Sequence, residues 1–198
     1  MKSNYLFTSP RLGFKAWEES DLPKLIEMNL DAEVMEFFED VMTAEQSTAF
    51  FERMKKGYAE SGRCYFPVEE LETGEFIGII GLSLKTFESK WTPNVDIGWR
   101  LVQKHWNKGY ATEGAKRCLE YGLNDLKLEK IICIAPAINA KSVNVMKKIG
   151  MVKAGDFMHP QLITNERLRD CVMFEANQGT NTLSQMDQLK FGSEQASS

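Results

Sequence analysis

Apolar and polar residues alternate differently in successive parts of the chain, which predicts a mixture of helices and strands. Residues 12–17 mix apolar and polar positions in a way that predicts a first strand, and two helices should follow it. Ser20 or Asp21 can cap the first helix, whereas the second begins at the capping-box sequence Thr43-Ala-Glu-Gln46. The acid-rich residues 31–42 between these helices are interpreted as either a short helix or a loop.

Strand signals dominate the middle of the chain. Two apolar stretches, 64–71 and 76–84, flank Glu72-Thr-Gly-Glu75, whose glycine suits a tight turn, so these residues predict a hairpin. After a polar loop, β-branched and aromatic residues at alternate positions of 94–102 predict a third strand. The unbroken apolar run Ile131-Ile-Cys-Ile134 predicts a strand that is covered on both faces.

Helices and strands alternate in the remaining part. Apolar residues recur at helical spacing over 110–126, and Asn139 is a suitable cap for a helix over 140–149. Two further strands are predicted over 151–157 and 167–176. This order of elements indicates a mixed α/β domain in which helices pack against a central sheet.

The composition divides the chain into a domain over residues 1–176 and a short segment after it. Residues 177–198 are rich in Gln, Ser, Thr, Asn and Gly and contain few apolar anchors. We therefore expect a polar, flexible C-terminal tail, in which Leu183, Met186 and Leu189 could form one short amphipathic helix.

Charge and composition narrow the classes of function. The 198-residue chain carries a formal net charge of −4, which argues against a nucleic-acid-binding protein because binding to phosphates requires an excess of Lys and Arg. No apolar run reaches the roughly 20 residues of a membrane helix, and the N-terminal residues lack the apolar core of a signal peptide. We therefore expect a cytoplasmic protein without a membrane partner.

The four cysteines give no sign of a metal site or a disulfide framework. They are Cys64, Cys118, Cys133 and Cys171, and none forms a Cys-x-x-Cys pair. Each lies among apolar neighbours, so we expect buried free thiols rather than disulfides or zinc ligands. Free thiols are consistent with a reducing cytoplasm.

A basic loop with a glycine lies between the strand predicted over 94–102 and the helix predicted over 110–126. It occupies the stretch from Gln103 to Glu113, and Gly109 precedes the helix. Backbone N–H groups at such a helix N-terminus bind anions, and phosphate is the natural candidate. The sequences typical of Rossmann, P-loop and serine-hydrolase sites (Gly-x-Gly-x-x-Gly, Gly-x-x-x-x-Gly-Lys-Ser/Thr and Gly-x-Ser-x-Gly) are absent.

Three motifs in order along the chain carry a resemblance to a known family. The first is Asp96-Ile-Gly-Trp-Arg-Leu-Val102 followed by Trp106-Asn-Lys-Gly-Tyr-Ala-Thr-Glu113. The second is Asn139-x-x-Ser142 leading to Lys148-Ile-Gly-Met151, and the third is Phe157-Met-His-Pro160. Together they resemble the GNAT acyltransferase superfamily, in its RimJ/RimL-like branch, over nearly the whole predicted domain.

The resemblance implies both a fold and a reaction. The implied fold is a mostly antiparallel sheet that is splayed between two central strands and flanked by helices on both faces. The implied reaction moves an acetyl group from acetyl-CoA to a primary amine, on a small molecule or a peptide, by direct transfer in a ternary complex. It requires no metal, and the protein would be a monomer or a homodimer.

The resemblance also assigns residues to the cofactor. The diphosphate would be held by the loop, whose residues are Trp106, Asn107, Lys108, Gly109, Tyr110, Ala111 and Thr112, with Lys104 and Lys108 as screening cations. Main-chain groups of Leu101 and Val102 would contact the pantetheine arm, as would the side chain of Asn139. Ser142 would lie near the thioester. Two positions depart from the family pattern, because Trp106 replaces the usual Gln or Arg and Met146 replaces a Tyr that acts as an acid.

Acetyl transfer requires a base, a group that polarises the carbonyl and a proton for the thiolate. Asp96 is the candidate base, acting through water, and the alternative is that it pairs with Arg100 on the same face of the strand. The resemblance implies that a backbone N–H near Val102 polarises the carbonyl. Since Met146 cannot donate a proton, Ser142 is the candidate donor, and the alternative is that it only satisfies a local backbone group.

The remaining candidates concern the acceptor and a rival function. His105 is predicted to face solvent, and His159 is predicted to shape a turn or to contact the acceptor. The resemblance implies that the first two helices border the acceptor cleft, so the acidic residues at 27–45 favour a cationic amine; the alternative is an ordinary acidic helix surface. These residues are Glu27, Asp31, Glu33, Glu36, Glu39, Asp40 and Glu45. The rival is a non-catalytic coenzyme A-binding module with a sensing or regulatory role.

Overall fold

The computed structural model describes residues 5–178. Of the tail predicted over 177–198, residues 179–198 lie outside the described residues, and β8 extends through Asn177. The strands within residues 5–178 are β1 (Phe7–Thr8), β2 (Leu12–Phe14), β3 (Tyr65–Glu70), β4 (Phe76–Lys85), β5 (Asn94–Leu101), β6 (Lys130–Pro136), β7 (Val152–Met158) and β8 (Asp170–Asn177). The α-helices are α1 (Leu22–Leu30), α2 (Ala44–Ser61), α3 (Tyr110–Glu120) and α4 (Ala140–Lys148).

The described strands form one eight-stranded sheet in the order β1-β2-β3-β4-β5-β6-β8-β7. All neighbours are antiparallel except β5 and β6. These two parallel strands are paired at a single position, Asp96 opposite Ile132, whereas β4 and β5 are paired along eight positions. The sheet is therefore mostly antiparallel and opens between β5 and β6, as predicted.

Helices cover both faces of this sheet. Asn29 of α1 bonds to Arg100 of β5, so α1 lies on the face that carries Arg100. The opposite face carries Ile80 of β4, and α3 packs there so closely that a Cβ on Gly114 would lie 2.3 Å from the Ile80 Cδ1 atom. The two-sided arrangement confirms the predicted α/β fold, and it places the opening between β5 and β6 between two layers of helices.

Most elements match their sequence signals. The Thr43 hydroxyl accepts from the Gln46 N–H at 3.2 Å, and the Thr43 N–H donates to the Gln46 side chain at 2.8 Å. This reciprocal pair confirms the capping box of α2. Asn139 likewise caps α4, since its Oδ1 atom accepts from the Ser142 N–H at 3.0 Å. Both motifs use contacts within three residues, so sequence alone identifies them.

Three boundaries differ from the prediction. The first predicted strand ends at Phe14, and the short strand β1 precedes it. The third predicted helix ends at Glu120 and continues as a π-helical turn, Tyr121–Asp125. β6 extends to Pro136, because at the last position of a strand the missing N–H of a proline breaks no ladder bond. Residues 31–42 contain turns, which agrees with the loop alternative.

Buried free thiols are confirmed at all four cysteines. Among residues 5–178, every helix is too short or too polar to span a lipid bilayer. No cluster of three or more His, Cys, Asp or Glu side chains suited to a metal ion occurs in that range.

Candidate functional site

A cleft of about 900 Å³ opens where β5 and β6 separate. Its lining includes residues of the segment between α1 and α2, of β5 and β6, of the α3 N-terminus and of α4. Ten of the predicted site residues line it: Asp96, Leu101, Trp106, Asn107, Gly109, Tyr110, Ala111, Thr112, Asn139 and Ser142. The predicted residues Val102, Lys104 and Lys108 are not part of this lining. The cleft thus brings together motifs that are distant in sequence.

The N-terminus of α3 has the geometry of an anion site. Gly109 precedes the helix with a φ of 81°, a left-handed conformation that glycine adopts without strain. The Glu113 N–H bonds to the Gly109 carbonyl at 3.0 Å. The N–H groups of Tyr110, Ala111 and Thr112 come before this bond, so they have no intrahelical acceptor and lie at the positive end of the helix dipole.

Arg11 holds this loop in place, although sequence reasoning did not single it out. Its Nε atom lies 2.7 Å from a Glu113 carboxylate oxygen, and its Nη1 atom donates to the Lys108 carbonyl at 3.1 Å. The guanidinium also lies 4.5 Å from the centre of the Tyr110 ring. Arg11 therefore adds a positive charge beside the anion site and ties β2 to α3.

The lysine beside Trp106 in the cleft is Lys141, which replaces the predicted Lys104 and Lys108. Lys104 is bonded to the Glu75 carboxylate outside the cleft lining. Lys141 lines the cleft instead, and its ammonium lies 4.5 Å from the centre of the Trp106 ring. The Trp106 indole in turn donates to the Leu101 carbonyl at 2.8 Å, so it braces the end of β5 rather than offering a side-chain phosphate contact.

The edge of β5 that faces the opening carries free main-chain donors. The Val102 N–H donates to the Ile77 carbonyl at 3.0 Å, so this N–H is engaged with β4 and cannot polarise a substrate carbonyl. Backbone groups of successive strand residues point to opposite sides. The N–H groups of Trp99 and Leu101 therefore point toward β6, into the opening. The expected polariser is correspondingly shifted by one residue.

Asp96 is a buried carboxylate at the point where β5 and β6 still pair. It is 5% exposed, and its Oδ2 atom accepts from the Tyr65 hydroxyl at 2.7 Å, with the Lys85 ammonium 3.9 Å away. Burial raises the pKa of Asp96 to about 6, although Lys85, the Tyr65 hydroxyl and the Ile134 amide favour the charged form. A carboxyl with this pKa can exchange a proton near neutral pH.

The alternative partner proposed for Asp96 is wrong. Arg100 lies on the same face of β5, but its Nη1 atom donates to Asn29 and lies 3.7 Å from the Met42 sulfur. The Tyr65 ring occupies the space between the two charges, since a Cβ on Gly98 would lie only 3.0 Å from that ring. Sequence could not identify Tyr65 as the partner of Asp96 because it belongs to another strand.

Of the two histidines, His105 is buried against the prediction, whereas His159 both shapes a turn and lines the cleft. His105 is 2% exposed, which corrects the predicted solvent-facing position, and its Nε2 atom lies 3.5 Å from Glu75. Burial lowers the pKa of His105. His159 shapes a turn as predicted, because its Nδ1 atom accepts from the Gln161 N–H at 3.3 Å. It also lines the cleft, and its ring centre lies 4.4 Å from that of Phe87.

Residues at the start of α4 form a further part of the cleft wall. Asn139 and Ser142 both line the cleft, and the Asn139 Oδ1 atom is already used as the helix cap. Its amide nitrogen is the part of this side chain that can donate to a ligand. Met146, at the position of the family's acid, is fully buried, so its thioether packs in the core and supplies no proton.

Comparisons with known proteins agree with this geometry. Residues 11–152 match the family model of the acetyltransferase (GNAT) domain. The N-acetyltransferase YnaD of Bacillus subtilis (strain 168) is 36% identical over 151 residues, which are 76% of this chain and 84% of that protein. The spermidine N(1)-acetyltransferase of Escherichia coli (strain K12) is 31% identical over 75 residues, which are 36% of this chain and 40% of that protein.

Two solved structures show the same fold. An acetyltransferase of the GNAT family from Bacillus anthracis has a TM-score of 0.72 and 29% identity, covering 86% of this chain and 97% of its own. A spermidine N-acetyltransferase from Vibrio cholerae, solved with CoA and spermine, has a TM-score of 0.69 and 22% identity, covering 86% and 98%. With the match to the family model, they establish that this chain belongs to the GNAT acetyltransferases and is an acetyl-CoA-dependent acyltransferase.

Proposed function

We propose that this enzyme acetylates a primary amine, on a small molecule or a peptide N-terminus, in a ternary complex with acetyl-CoA. The observation that carries the proposal is the position of Asp96, a buried carboxylate with a pKa of about 6 on the strand edge that borders the opening. A base with this pKa can accept the proton of an ammonium group, directly or through water, at neutral pH.

The described residues suit the donor. When bound, acetyl-CoA would supply the acetyl group and a thiolate that leaves as the amine nitrogen bonds to the carbonyl carbon. The N–H groups of Tyr110 to Thr112, after the left-handed Gly109, would hold its diphosphate, with Arg11 and Lys141 as nearby cations. The Trp99 and Leu101 N–H groups would hold the pantetheine arm and polarise the carbonyl, and Ser142 would protonate the thiolate.

Features of the sequence and of the cysteines support the family branch and the cellular compartment that we propose. The motif from Trp106 to Glu113 supports the RimJ/RimL-like branch, and the buried free thiols support a reducing cytoplasm. We assign catalysis to the domain over residues 1–176. We further propose that the enzyme is a monomer or a homodimer.

The function is tested by measuring thiol release from acetyl-CoA in the presence of an amine panel. The panel contains peptides with free N-termini, amino acids, polyamines and aminoglycosides. We expect turnover with one of these classes and a matching acetylated product in mass spectra. Tight binding of CoA by calorimetry together with no turnover on any class would instead favour the non-catalytic coenzyme A-binding module.

The two roles of Asn139 can be separated by substitution. Asn139→Ala removes the cap of α4 and should cost about 1 kcal/mol of unfolding free energy. Asn139→Ser keeps a capping oxygen but removes the amide donor, so its stability should stay near that of the wild type. If the amide binds acetyl-CoA, both variants should weaken the affinity by a similar factor. Normal affinity in Asn139→Ser would show that Asn139 is only a cap.

A further inference from the structure

The cleft contains a cation without a counter-ion on the face of β5 that also carries Asp96. Arg100 is half-buried, and its guanidinium lies 4.2 Å from the centre of the Phe38 ring. Its Nη1 atom reaches the neutral side chains of Asn29 and Met42, and its Nε atom is buried without a hydrogen-bond acceptor. Within the described part of the chain, no carboxylate forms an ion pair with Arg100.

An unpaired charge in such a position is costly. Burial lowers the pKa of Arg100 to about 10, and only the ionised form of Tyr65 would act against this shift. A structural link between β5 and α1 does not require a charge, because apolar residues of similar volume often stabilise such a site better than a buried ion does. The arrangement is therefore suited to a ligand that brings an anion to the guanidinium.

This anion would lie on the same stretch of β5 as the reacting amine. Asp96 and Arg100 lie on the same face of β5, and both line the cleft on either side of the Tyr65 ring. The Trp99 and Leu101 N–H groups, which point into the opening, lie on the same stretch of strand. An acceptor whose amine is near Asp96 and these N–H groups would thus extend along the strand toward Arg100.

Apolar side chains surround the guanidinium, so the acceptor must have an apolar body. Phe38, Phe50 and Met42 lie beside the guanidinium, and Phe37, Phe87 and Leu162 are further apolar residues of the cleft lining. Burial of a hydrocarbon or aromatic group against them favours binding in proportion to the apolar area that is buried. A polyamine offers only short methylene segments between charged nitrogens.

The acidic residues at the cleft are partly neutralised. Of those that sequence analysis singled out, Glu33, Glu36 and Glu39 line the cleft. Glu36 pairs with Arg167 at 3.1 Å, and Glu33 accepts a hydrogen bond from Gln103. Of these three carboxylates, Glu36 is therefore the one whose charge is offset by an ion pair.

We propose that the acceptor carries a carboxylate as well as its amine on an apolar body, and that Arg100 binds this carboxylate. The guanidinium N–H groups that Asn29 and Met42 leave free would donate to the two carboxylate oxygens, a charge-assisted contact. The proposal rests on the proposed acetyl transfer for its substrate, but the carboxylate site can be tested without turnover. Amino acids and short peptides with apolar side chains have this chemistry, whereas spermidine would place a second cation against Arg100.

The binding test compares apolar carboxylates with their uncharged amides. Calorimetry with 3-phenylpropanoate and 3-phenylpropanamide should show that the wild type prefers the acid by roughly 10- to 100-fold, the value of a hydrogen bond to a charged group. Arg100→Met should lose this preference, and Arg100→Lys should retain part of it. Equal binding of the acid and the amide by the wild type would overturn the proposal, as would unchanged acid binding by Arg100→Met.

The kinetic test compares amines with and without a carboxylate, such as phenylalanine and 2-phenylethylamine. Arg100→Met should raise KM for the amino acid by roughly 10- to 100-fold and leave KM for the simple amine nearly unchanged, whereas a purely structural defect would affect both. Arg53→Met is the matched control, because Arg53 also lines the cleft and stacks on Phe50 but is exposed. Its effect should stay below about threefold because solvent screens an exposed cation.

A wild type that binds the acid selectively but acetylates no amine would contradict the acetyl transfer and leave the carboxylate site standing.

Discussion

Replacing Asp96 with Asn is expected to lower kcat by about 10²- to 10⁴-fold at pH 7, the contribution of a positioned general base. The Michaelis constant for acetyl-CoA should change little, because the diphosphate site at Gly109 is a separate part of the cleft. In the wild type, kcat/KM should rise with pH along a limb near pH 6, since the pKa of Asp96 is raised to about 6. Equal rates for both proteins at every pH would show that Asp96 is not the base.

The same substitution should stabilise the fold, which excludes misfolding as the cause of lost activity. The pKa of Asp96 is raised from 3.8 to about 6 in the folded protein. Its contribution is therefore fully present below pH 3.8 and is lost as the pH rises through about 6. At pH 7.5 the buried charge costs up to about 3 kcal/mol, at 1.36 kcal/mol per unit of pKa.

Unfolding in urea at two pH values measures this effect. Asp96→Asn keeps a carbonyl that can accept from the Tyr65 hydroxyl, so the variant should exceed the wild type in unfolding free energy at pH 7.5. At pH 4 the difference should shrink because the wild-type carboxyl is then protonated. A variant that is less stable at pH 7.5 would contradict the raised pKa. Lost activity in a more stable protein is a known trade-off at catalytic sites.

Replacing Gly109 with Val is expected to weaken acetyl-CoA binding about 100-fold, the value of roughly two charge-assisted hydrogen bonds. Gly109 has a φ of 81°, which a β-branched residue adopts only with strain. Among residues 5–178 a Cβ would meet only the Arg11 Nη2 atom, at 3.5 Å, an ordinary contact. The expected loss therefore comes from the backbone conformation and from the space that the diphosphate requires.

Gly74→Val provides the matched control for this measurement. Gly74 has a φ of 70° in the turn between β3 and β4, and no atom of the described part of the chain lies within 4 Å of its Cβ position. Both substitutions should cost about 1–3 kcal/mol of unfolding free energy through backbone strain. Only Gly109→Val should lower the affinity for acetyl-CoA in calorimetry. Unchanged affinity in Gly109→Val would mean that this loop does not bind the diphosphate.

The cleft shows which site residues sequence could indicate and which it could not. Asp96, Gly109, Asn139 and Ser142 belong to local motifs and line the cleft as expected, whereas Lys104 and Lys108 of the glycine loop do not line it. Their neighbours depend on long-range packing. The hydroxyl that bonds to Asp96 comes from Tyr65, 31 residues away, and the guanidinium beside the loop comes from Arg11, 102 residues from its partner Glu113.

The sequence also did not show in which direction the backbone N–H groups of β5 point. The pattern of β5 indicated which strand borders the opening, but not which N–H groups point into it. That depends on pairing with β4, and the Val102–Ile77 hydrogen bond assigns the outward N–H groups to Trp99 and Leu101. A shift of one residue reverses the direction of every backbone group, so an error of one position changes the proposed polariser.

By itself the sequence determined the order of the elements, the capping box at Thr43, the cap at Asn139 and the glycine loop before α3. Each of these depends on residues that are at most a few positions apart. Only the tertiary structure decided that Arg100 lines the cleft without a carboxylate partner among residues 5–178, that Asp96 is buried against Tyr65 and that His105 is enclosed. Burial and charge pairing depend on side chains from separate strands and helices, and these meet only when the sheet is assembled.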